Sequence, residues 1–242
     1  MVASLVAFLA IALVAFLYSS VGHAGASGYI AVLTLLGLSA TAVRPTALAL
    51  NILVAILGVV QFARAGHFRW SLFWPFALLS VPAAFVGGAI TIPTRILEVL
   101  LAVVLLFSAV RLIMRKRDPE TCTPPNRTTA VAVGAGVGLL SGLTGTGGGI
   151  FLTPILLFCR WAKTKETAAV SVTFIFVNSV AGLAGYLWSR QPLPEAAWTL
   201  ALAAVLGGGA GSYLGSHKLP VRVIYILLAI VLAIAGVKLL VA

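Results

Sequence analysis

The chain has 242 residues, of which 61% are hydrophobic and 9% charged, against the roughly 25% charged usage of a soluble domain. A soluble fold of this length has no room to hide so many apolar side chains, so lipid is the expected solvent. The formal charge of +11 comes from Lys and Arg scattered over loops and span ends, densest at Arg111, Arg115, Lys116 and Arg117 after an apolar segment. That placement indicates orientation and contact with anionic lipid, and excludes a nucleic-acid-binding face.

Uncharged runs cover 2–43, 45–63, 70–94, 128–159, 167–189 and 196–216, most of them beyond the ~18 residues that mark a spanning candidate. The first has no Lys or Arg ahead of it and outruns a signal-peptide core, so Leu5 to Tyr18 is read as a retained span. Residues 2–43 are too long for one straight crossing. Their middle holds Ser19, Ser20, Gly22, His23, Gly25, Ser27 and Gly28, and the helix is expected to break there. Spans at 43–63, 70–90 and 95–114 follow. Glu98 stands in the first turns of the last of these, three residues after Arg95, as a boundary pair or a coupling group. Residues 115–128, with Asp118, Glu120 and paired prolines, read as a flexible linker.

The segment 129–158 repeats the opening pattern, with Ser141, Thr144, Gly145, Thr146, Gly147, Gly148 and Gly149 ahead of Pro154. Three consecutive glycines disfavour a continuous helix, while neighbouring Ser and Thr hydroxyls compete for backbone groups. Spans at 166–188, 195–215 and 221–241 complete the chain. Cys122 and Cys159 lack metal-ligand spacing and are expected to be incidental.

The second half echoes the first. At a spacing of 121 residues Arg44-Pro-Thr-Ala meets Lys165-Glu-Thr-Ala and Gly87-Gly-Ala meets Gly208-Gly-Ala; at 127, Pro93, Arg95 and Arg111 meet Pro220, Arg222 and Lys238. Rare glycines, prolines and charges thus recur in order. The expected fold is an all-α polytopic membrane protein of about eight transmembrane helices in two homologous four-helix halves, 1–114 and 129–242, joined by 115–128. Each half opens with a Gly-rich broken or re-entrant helix. Parallel and inverted arrangements of the halves both stay open. Charge counting places the chain in the cell inner membrane with the linker and C-terminus cytoplasmic. Eight straight crossings then leave Arg160, Lys163 and Lys165 on the other face.

Irregular backbone at membrane depth must be buried in protein or line a watered cavity, and paired interruptions in two repeats mark a transporter's substrate region. The pathway candidates are therefore Ser20, Gly22, His23, Gly25, Ser27, Gly28, Ser141, Thr144, Gly145, Thr146, Gly147, Gly148, Gly149 and Pro154. Asn51, Ser171, Thr173 and Asn178 join them as polar residues within spans, where they either bind substrate or bridge helices. Uncapped helix N-termini at the breaks suit an anion. Gly87-Gly88 and Gly207–Gly209 are expected to serve close packing, and Trp70, Trp74, Trp188 and Trp198 to anchor at the interfaces. Arg44 and Lys165 either steer anions or mark span boundaries. His67 and His217 read as interfacial; His23, inside a break, is either a structural histidine or a proton-coupling group. No paired carboxylates, metal cluster or nucleotide loop appears, so neither an enzyme nor a cofactor is expected.

The stretches Ser20-Val-Gly-His-Ala-Gly-Ala-Ser-Gly28, Gly138-Leu-Leu-Ser-Gly-Leu-Thr-Gly-Thr-Gly-Gly-Gly-Ile-Phe-Leu-Thr-Pro154, Lys165-Glu-Thr-Ala-Ala-Val-Ser171 and Gly207-Gly-Gly-Ala-Gly-Ser-Tyr-Leu-Gly215 resemble the sulfite exporter TauE/SafE family of membrane permeases. The resemblance covers nearly the whole chain and matches most directly at Gly145, Gly147, Gly148, Gly149 and Pro154. It implies a permease for sulfite, sulfonates or other small organic anions; alternating access by relative movement of the duplicated halves is the mechanism expected, with a coupling ion left open. The partners it implies are the lipid bilayer and a small anion. The first-half motif departs from the glycine-rich pattern at Ala24, Ala26 and Ser27. An ion channel and a non-transporting membrane-assembly protein are the alternatives.

Overall fold

The computed structural model describes residues 2–90, 95–114, 117–189, 198 and 200–241. Its helices are α1 (Val2–Ser20), α2 (Ala26–Leu35), α3 (Ala40–Arg64), α4 (Trp70–Ala89), α5 (Arg95–Met114), α6 (Arg127–Thr144), α7 (Gly149–Phe158), α8 (Thr164–Trp188), α9 (Ala201–Tyr213) and α10 (Val221–Val241), with a π turn at Leu214–Lys218 after α9. No strand occurs among the described residues. Ala42–Arg64, Trp70–Ala89, Thr164–Trp188 and Val221–Lys238 are long and apolar enough to cross a membrane. At 10 residues each, α2 and α7 reach only about 15 Å, half a hydrocarbon layer.

Both short helices arise where the sequence predicts a break, and α2 turns back along the helix before it: Gly28 lies against Val14 and Tyr18 of α1. The chain therefore enters and returns at 2–35, which a reading in straight crossings does not contain. The linker touches the α7–α8 turn, so 127–158 makes the same excursion: Thr123 N–H donates to the Arg160 carbonyl at 3.1 Å. Arg160 and Lys163 consequently lie on the linker's side, not opposite it. Nor is the described part of the linker loose. Asp118 accepts from the Thr164 N–H at 3.0 Å and the Tyr225 hydroxyl at 2.7 Å, capping α8 and tying the linker to α10.

Glycines set the closest helix approaches. On α6, Gly134, Gly138 and Gly142 face the carbonyls of Phe76, Ser80 and Ala84 on α4; Gly207, Gly211 and Gly215 face those of Ala12, Phe16 and Ser20 on α1. A Cβ at any of these six would sit inside a backbone oxygen, so the four-residue glycine spacing is a packing requirement. In both pairs the residue numbers rise together, so the helices run parallel. The central helices α3 and α8 run antiparallel: Asn51 bonds Ser179, and Gly58 packs on Val172. So do α5 and α10, where the Arg222 guanidinium donates to the Ile113 carbonyl at 2.8 Å and Gly236 packs on Leu106.

That last pair corrects an expectation. The linker leaves α5 beside the start of α10, and α10 then runs about 30 Å away from it. The linker and the C-terminus therefore lie at opposite ends of the helices, not on one face. The Arg95–Glu98 side chains and Pro93 are outside the described residues. Trp70, Trp188 and Trp198 are exposed at 64%, 78% and 69%, as interfacial anchors require, and Arg127 covers the Trp74 ring at 5.6 Å. Neither Cys122 nor Cys159 is in a disulfide among the described residues.

Candidate functional site

α1 ends in a turn that closes on itself: Gly22 N–H donates to the Ser19 carbonyl at 3.1 Å and His23 N–H to that of Tyr18 at 2.9 Å. The left-handed φ of +78° at Gly22 and +113° at Gly25 then swings the chain into α2. The second break uses Gly145, Gly147 and Gly148 at φ of +72°, +75° and +81°, three left-handed positions in four residues that a side chain would strain. Gly25 and Gly148 are the N-caps of α2 and α7 and offer no capping side chain. The first-turn N–H groups of both helices are thus left for other partners.

The breaks meet. A Cβ at Gly149 would lie 3.4 Å from the His23 ring, and His23 Nε2 is 3.3 Å from Thr153 Oγ1, itself 2.7 Å from Ser171 Oγ. Beside this chain, Asn51 Nδ2 donates to the Thr146 carbonyl at 3.4 Å and to Ser179 Oγ at 3.3 Å. Thr144 Oγ1 donates to the Leu140 carbonyl at 2.7 Å and therefore accepts from Thr146 Oγ1 at 2.8 Å. Gly147 packs on Ile175, Ser179 and Asn51, and Gly148 on Phe174 and Ser141. His23, Asn51, Ser141, Ser171 and Asn178 are all buried, so the junction is closed to solvent in this conformation.

The junction is polar beyond its own needs. His23 Nδ1, Asn51 Oδ1, Ser141 Oγ, Asn178 Oδ1, Thr46 Oγ1 and Thr167 Oγ1 are buried and find no hydrogen-bond partner among the described residues. An unpaired buried polar atom costs about 1–3 kcal/mol, and three of these, on His23, Asn51 and Ser141, stand at the junction itself, more than a sealed interface carries without cost. Thr46 and Thr167 are the threonines of the duplicated Thr-Ala pair.

Arg44 does not face an entrance. Its guanidinium donates to the carbonyls of Gly87 at 2.6 Å, Gly88 at 3.1 Å and Ile90 at 3.2 Å, ending α4, and to that of Gly142 in the last turn of α6. Lys165 does the matching task at the end of α9, donating to the Ser216 carbonyl at 3.3 Å. The negative C-terminal ends of these helices are thereby neutralised, while the N-terminal ends of α2 and α7 carry no acidic residue in their first turns.

Not every candidate joins the junction. Ser20 donates to the Leu17 carbonyl at 2.7 Å and Thr173 to that of Ala169 at 2.8 Å, both within their own helices. Ser27 bonds the Tyr18 hydroxyl at 2.9 Å, and Gly28 serves the α1–α2 contact. Pro154 lies inside α7, past the break. Asn178 donates to the Phe174 carbonyl at 2.8 Å and leaves only its oxygen free. Conversely, Thr153 and Ser179 belong to the junction and escape notice in the sequence. Their signal is position: each is a hydroxyl beside a residue already singled out, Pro154 and Asn178. His67 Nε2 lies 3.1 Å from the Ser216 carbonyl and His217 stacks on Tyr213 at 4.9 Å, both at the linker end.

Comparison with known proteins supplies the family. The model of the family described as sulfite exporter TauE/SafE matches residues 7–239. The chain belongs to that family. It is accordingly a multi-pass membrane transport protein and not an enzyme. Probable membrane transporter protein y4hK of Sinorhizobium fredii is 39% identical over 242 residues, covering 97% of this chain and 96% of the relative. Probable membrane transporter protein YunE of Bacillus subtilis is 30% identical over 115 residues, 46% of this chain and 41% of that one. A probable membrane transporter protein of Xylella fastidiosa is 28% identical over 193 residues, 75% and 67% of the two chains. No solved structure matches the chain.

Proposed function

We propose that this TauE/SafE protein is a secondary transporter that carries small sulfur-containing or organic anions, sulfite and sulfonates first among them, through the junction of its two helix breaks. The observation that carries the reading is the contact of His23 with Gly149 and Thr153, which brings both breaks together amid unpartnered buried polar atoms. Two helix N-termini without acidic groups, together with hydroxyl and amide donors, suit an oxyanion. Arg44 and Lys165 contribute by neutralising helix C-termini rather than by binding cargo. The site residues proposed to line the path are His23, Asn51, Ser141, Thr144, Thr146, Ser171 and the glycines 145 and 147–149; Asn178 is proposed to contribute its free oxygen. The name of the matched family supports sulfite as the first substrate to test.

The reading includes two related halves, 1–114 and 129–242, with inverted topology: each half has three net crossings, α3–α5 and α8–α10, after an entering and returning pair, α1–α2 or α6–α7. Its support is that the packing survives exchange of the halves: α1 on α9 answers α6 on α4, and α3 on α9 answers α8 on α4. Matched helices α3 and α8, and likewise α5 and α10, run antiparallel. Rocking of one half against the other then exposes the junction to each side in turn. Among the described residues Arg64, Arg69, Arg111, Arg117, Arg127, Arg160, Lys163, Lys165, Lys218 and Arg222 lie at the linker end, against Arg44, Arg95 and Lys238 at the other. The linker is therefore proposed to be cytoplasmic in the inner membrane, with both termini on the outer face.

Reconstituted protein is expected to take up sulfite, thiosulfate, sulfonates or small carboxylates at carrier rates, with mutual competition. Absence of uptake of all four from oriented, folded preparations would sink the proposal. A sustained current insensitive to organic anions would replace it with a channel. In intact cells an impermeant maleimide should leave Cys122 unlabelled and label it in inverted vesicles; the reverse result overturns the orientation.

A further inference from the structure

We propose that His23 carries the proton that couples anion movement to the pH gradient, with Thr153 and Ser171 positioning its ring. The inference rests on the anion-transport reading above and names its coupling ion. It begins from what else at the junction can change charge. Around His23, α1 contributes Tyr18, bonded to Ser27, and α2 contributes Tyr29, whose hydroxyl donates to the Ala24 carbonyl at 2.6 Å; phenols keep their protons near neutral pH. α7 has no titratable residue at all. On α8, Lys165 is turned to Ser216 and Glu166 to Arg69 at 3.4 Å, while Tyr186 lies near the far end. α3 offers Arg44, which stays charged and is engaged with four carbonyls. α6 brings only Arg127, at its outer end. Among the described residues, His23 is thus the buried side chain at the junction whose ordinary proton affinity lies nearest working pH.

Its surroundings suit that exchange. Nε2 is held by the Thr153 hydroxyl, which is tied in turn to Ser171. Nδ1 is buried without a partner among the described residues, and the ring lies beside the backbone of Val21 and Gly149. With Nε2–H donating to Thr153, Nδ1 carries a bare lone pair. Taking up a proton there turns an unpaired acceptor into a donor without moving the ring. The charge balance then closes: a monoanion entering a junction that holds no free cation among the described residues is costly alone, and one proton arriving on Nδ1 makes the loaded site neutral. Release of the anion on the other side withdraws the countercharge, and the proton leaves with it. By linkage, anion affinity and proton affinity must rise together.

The test uses reconstituted full-length protein with ethanesulfonate, and thiosulfate as a second probe, because both keep a fixed charge between pH 6 and 8. For ethanesulfonate, one pH unit across the membrane should give about tenfold accumulation on the alkaline side, with no response to a voltage set by potassium and valinomycin. H23Q should lower the ratio of gradient-driven accumulation to exchange flux toward one, and the remaining flux should follow voltage. Accumulation that ignores the pH gradient in wild type, or an unchanged ratio in H23Q, overturns the coupling role while leaving anion transport intact. Exchange of neither probe nor sulfite nor acetate would defeat the transport reading itself, and this inference with it. Should H23Q fail to fold, the wild type still decides. Purified protein in weakly buffered detergent should take up about one proton per chain when ethanesulfonate is added, read with a pH-indicator dye, and no uptake refutes the proposal.

Discussion

The first break, from Val21 to Gly25, and the second, from Gly145 to Gly148, each end in a left-handed glycine that opens a ten-residue helix. Their walls differ. Gly22 presses on the backbone of Ala168, and Gly25 on the ring of Tyr29, whose hydroxyl is fixed to Ala24. At the second break Gly145 meets the Arg44 side chain, and Gly147 and Gly148 meet Asn51, Ser179, Phe174 and Ser141. The first break carries an imidazole; the second carries hydroxyls, an amide and the denser run of bare backbone. Two segments can thus perform one backbone manoeuvre while dividing the chemistry between them, one supplying a proton site and the other neutral donors.

The largest effect should come from closing the second break. Gly148→Val puts a β-branched side chain at φ +81°, with its Cβ 2.9 Å from Phe174 and 3.1 Å from Ser141. Left-handed strain of about 1–2 kcal/mol and overpacking of about 1–3 kcal/mol combine there. Sulfite or thiosulfate uptake should fall by at least about tenfold, the factor that 1.4 kcal/mol represents. Gly37→Val has the same left-handed backbone, φ +80°, with nothing within 4 Å, and should leave uptake near wild type. Equal losses in the two variants would mean that strain alone matters and that the second break is not the path.

A middle-sized effect separates the two entry glycines. Gly22→Ala and Gly145→Ala impose similar strain, at φ +78° and +72°, but the first Cβ collides with main chain at Ala168 while the second meets Arg44 Cγ at 2.7 Å. A side chain can shift and a packed backbone cannot. Gly22→Ala should therefore be the less stable variant by about 1–2 kcal/mol, a fraction of the usual overpacking cost, read as the order of melting temperatures in one detergent. The reverse order would show that Arg44, pinned by its carbonyls, is the stiffer wall.

Much of this was legible in residues and some was not, for definable reasons. Consecutive glycines at 147–149 announce a break because no helix tolerates them cheaply, and Arg44 and Lys165, matched in sequence, do cap matched helix ends. The sequence leaves a broken and a re-entrant opening equally open: Gly28 marks a close approach without saying which helix approaches. The antiparallel run of α3 against α8 is left equally open, since span counting treats every apolar segment as a crossing, and 26–35 and 149–158 are apolar yet short. Pro154 drew attention as a breaker but lies inside α7, past a break already made by Gly145, Gly147 and Gly148. Thr153, the neighbour that holds His23, looked like one more small polar residue in an apolar helix.

The smallest expected effect tests whether the second break contributes chemistry as well as shape. Asn51 makes only long hydrogen bonds, at 3.4 Å to the Thr146 carbonyl and 3.3 Å to Ser179, and its Oδ1 has no partner among the described residues. Replacing it with Leu, of similar volume, removes weak bonds together with an unpaired oxygen, so stability should change by no more than about 1 kcal/mol in either direction. If Asn51 holds Thr146 for the anion, uptake should fall severalfold through a raised KM with little loss of maximal rate, because a binding contact is lost and not the movement. If Asn51 only joins α3 to α8, KM should stay where it is and any change should appear in the melting temperature. The pH dependence offers a second discriminator: N51L should leave the coupling ratio intact while H23Q lowers it, since the two breaks are assigned different work. A shared loss of coupling in both variants would collapse the distinction and make the junction one indivisible site.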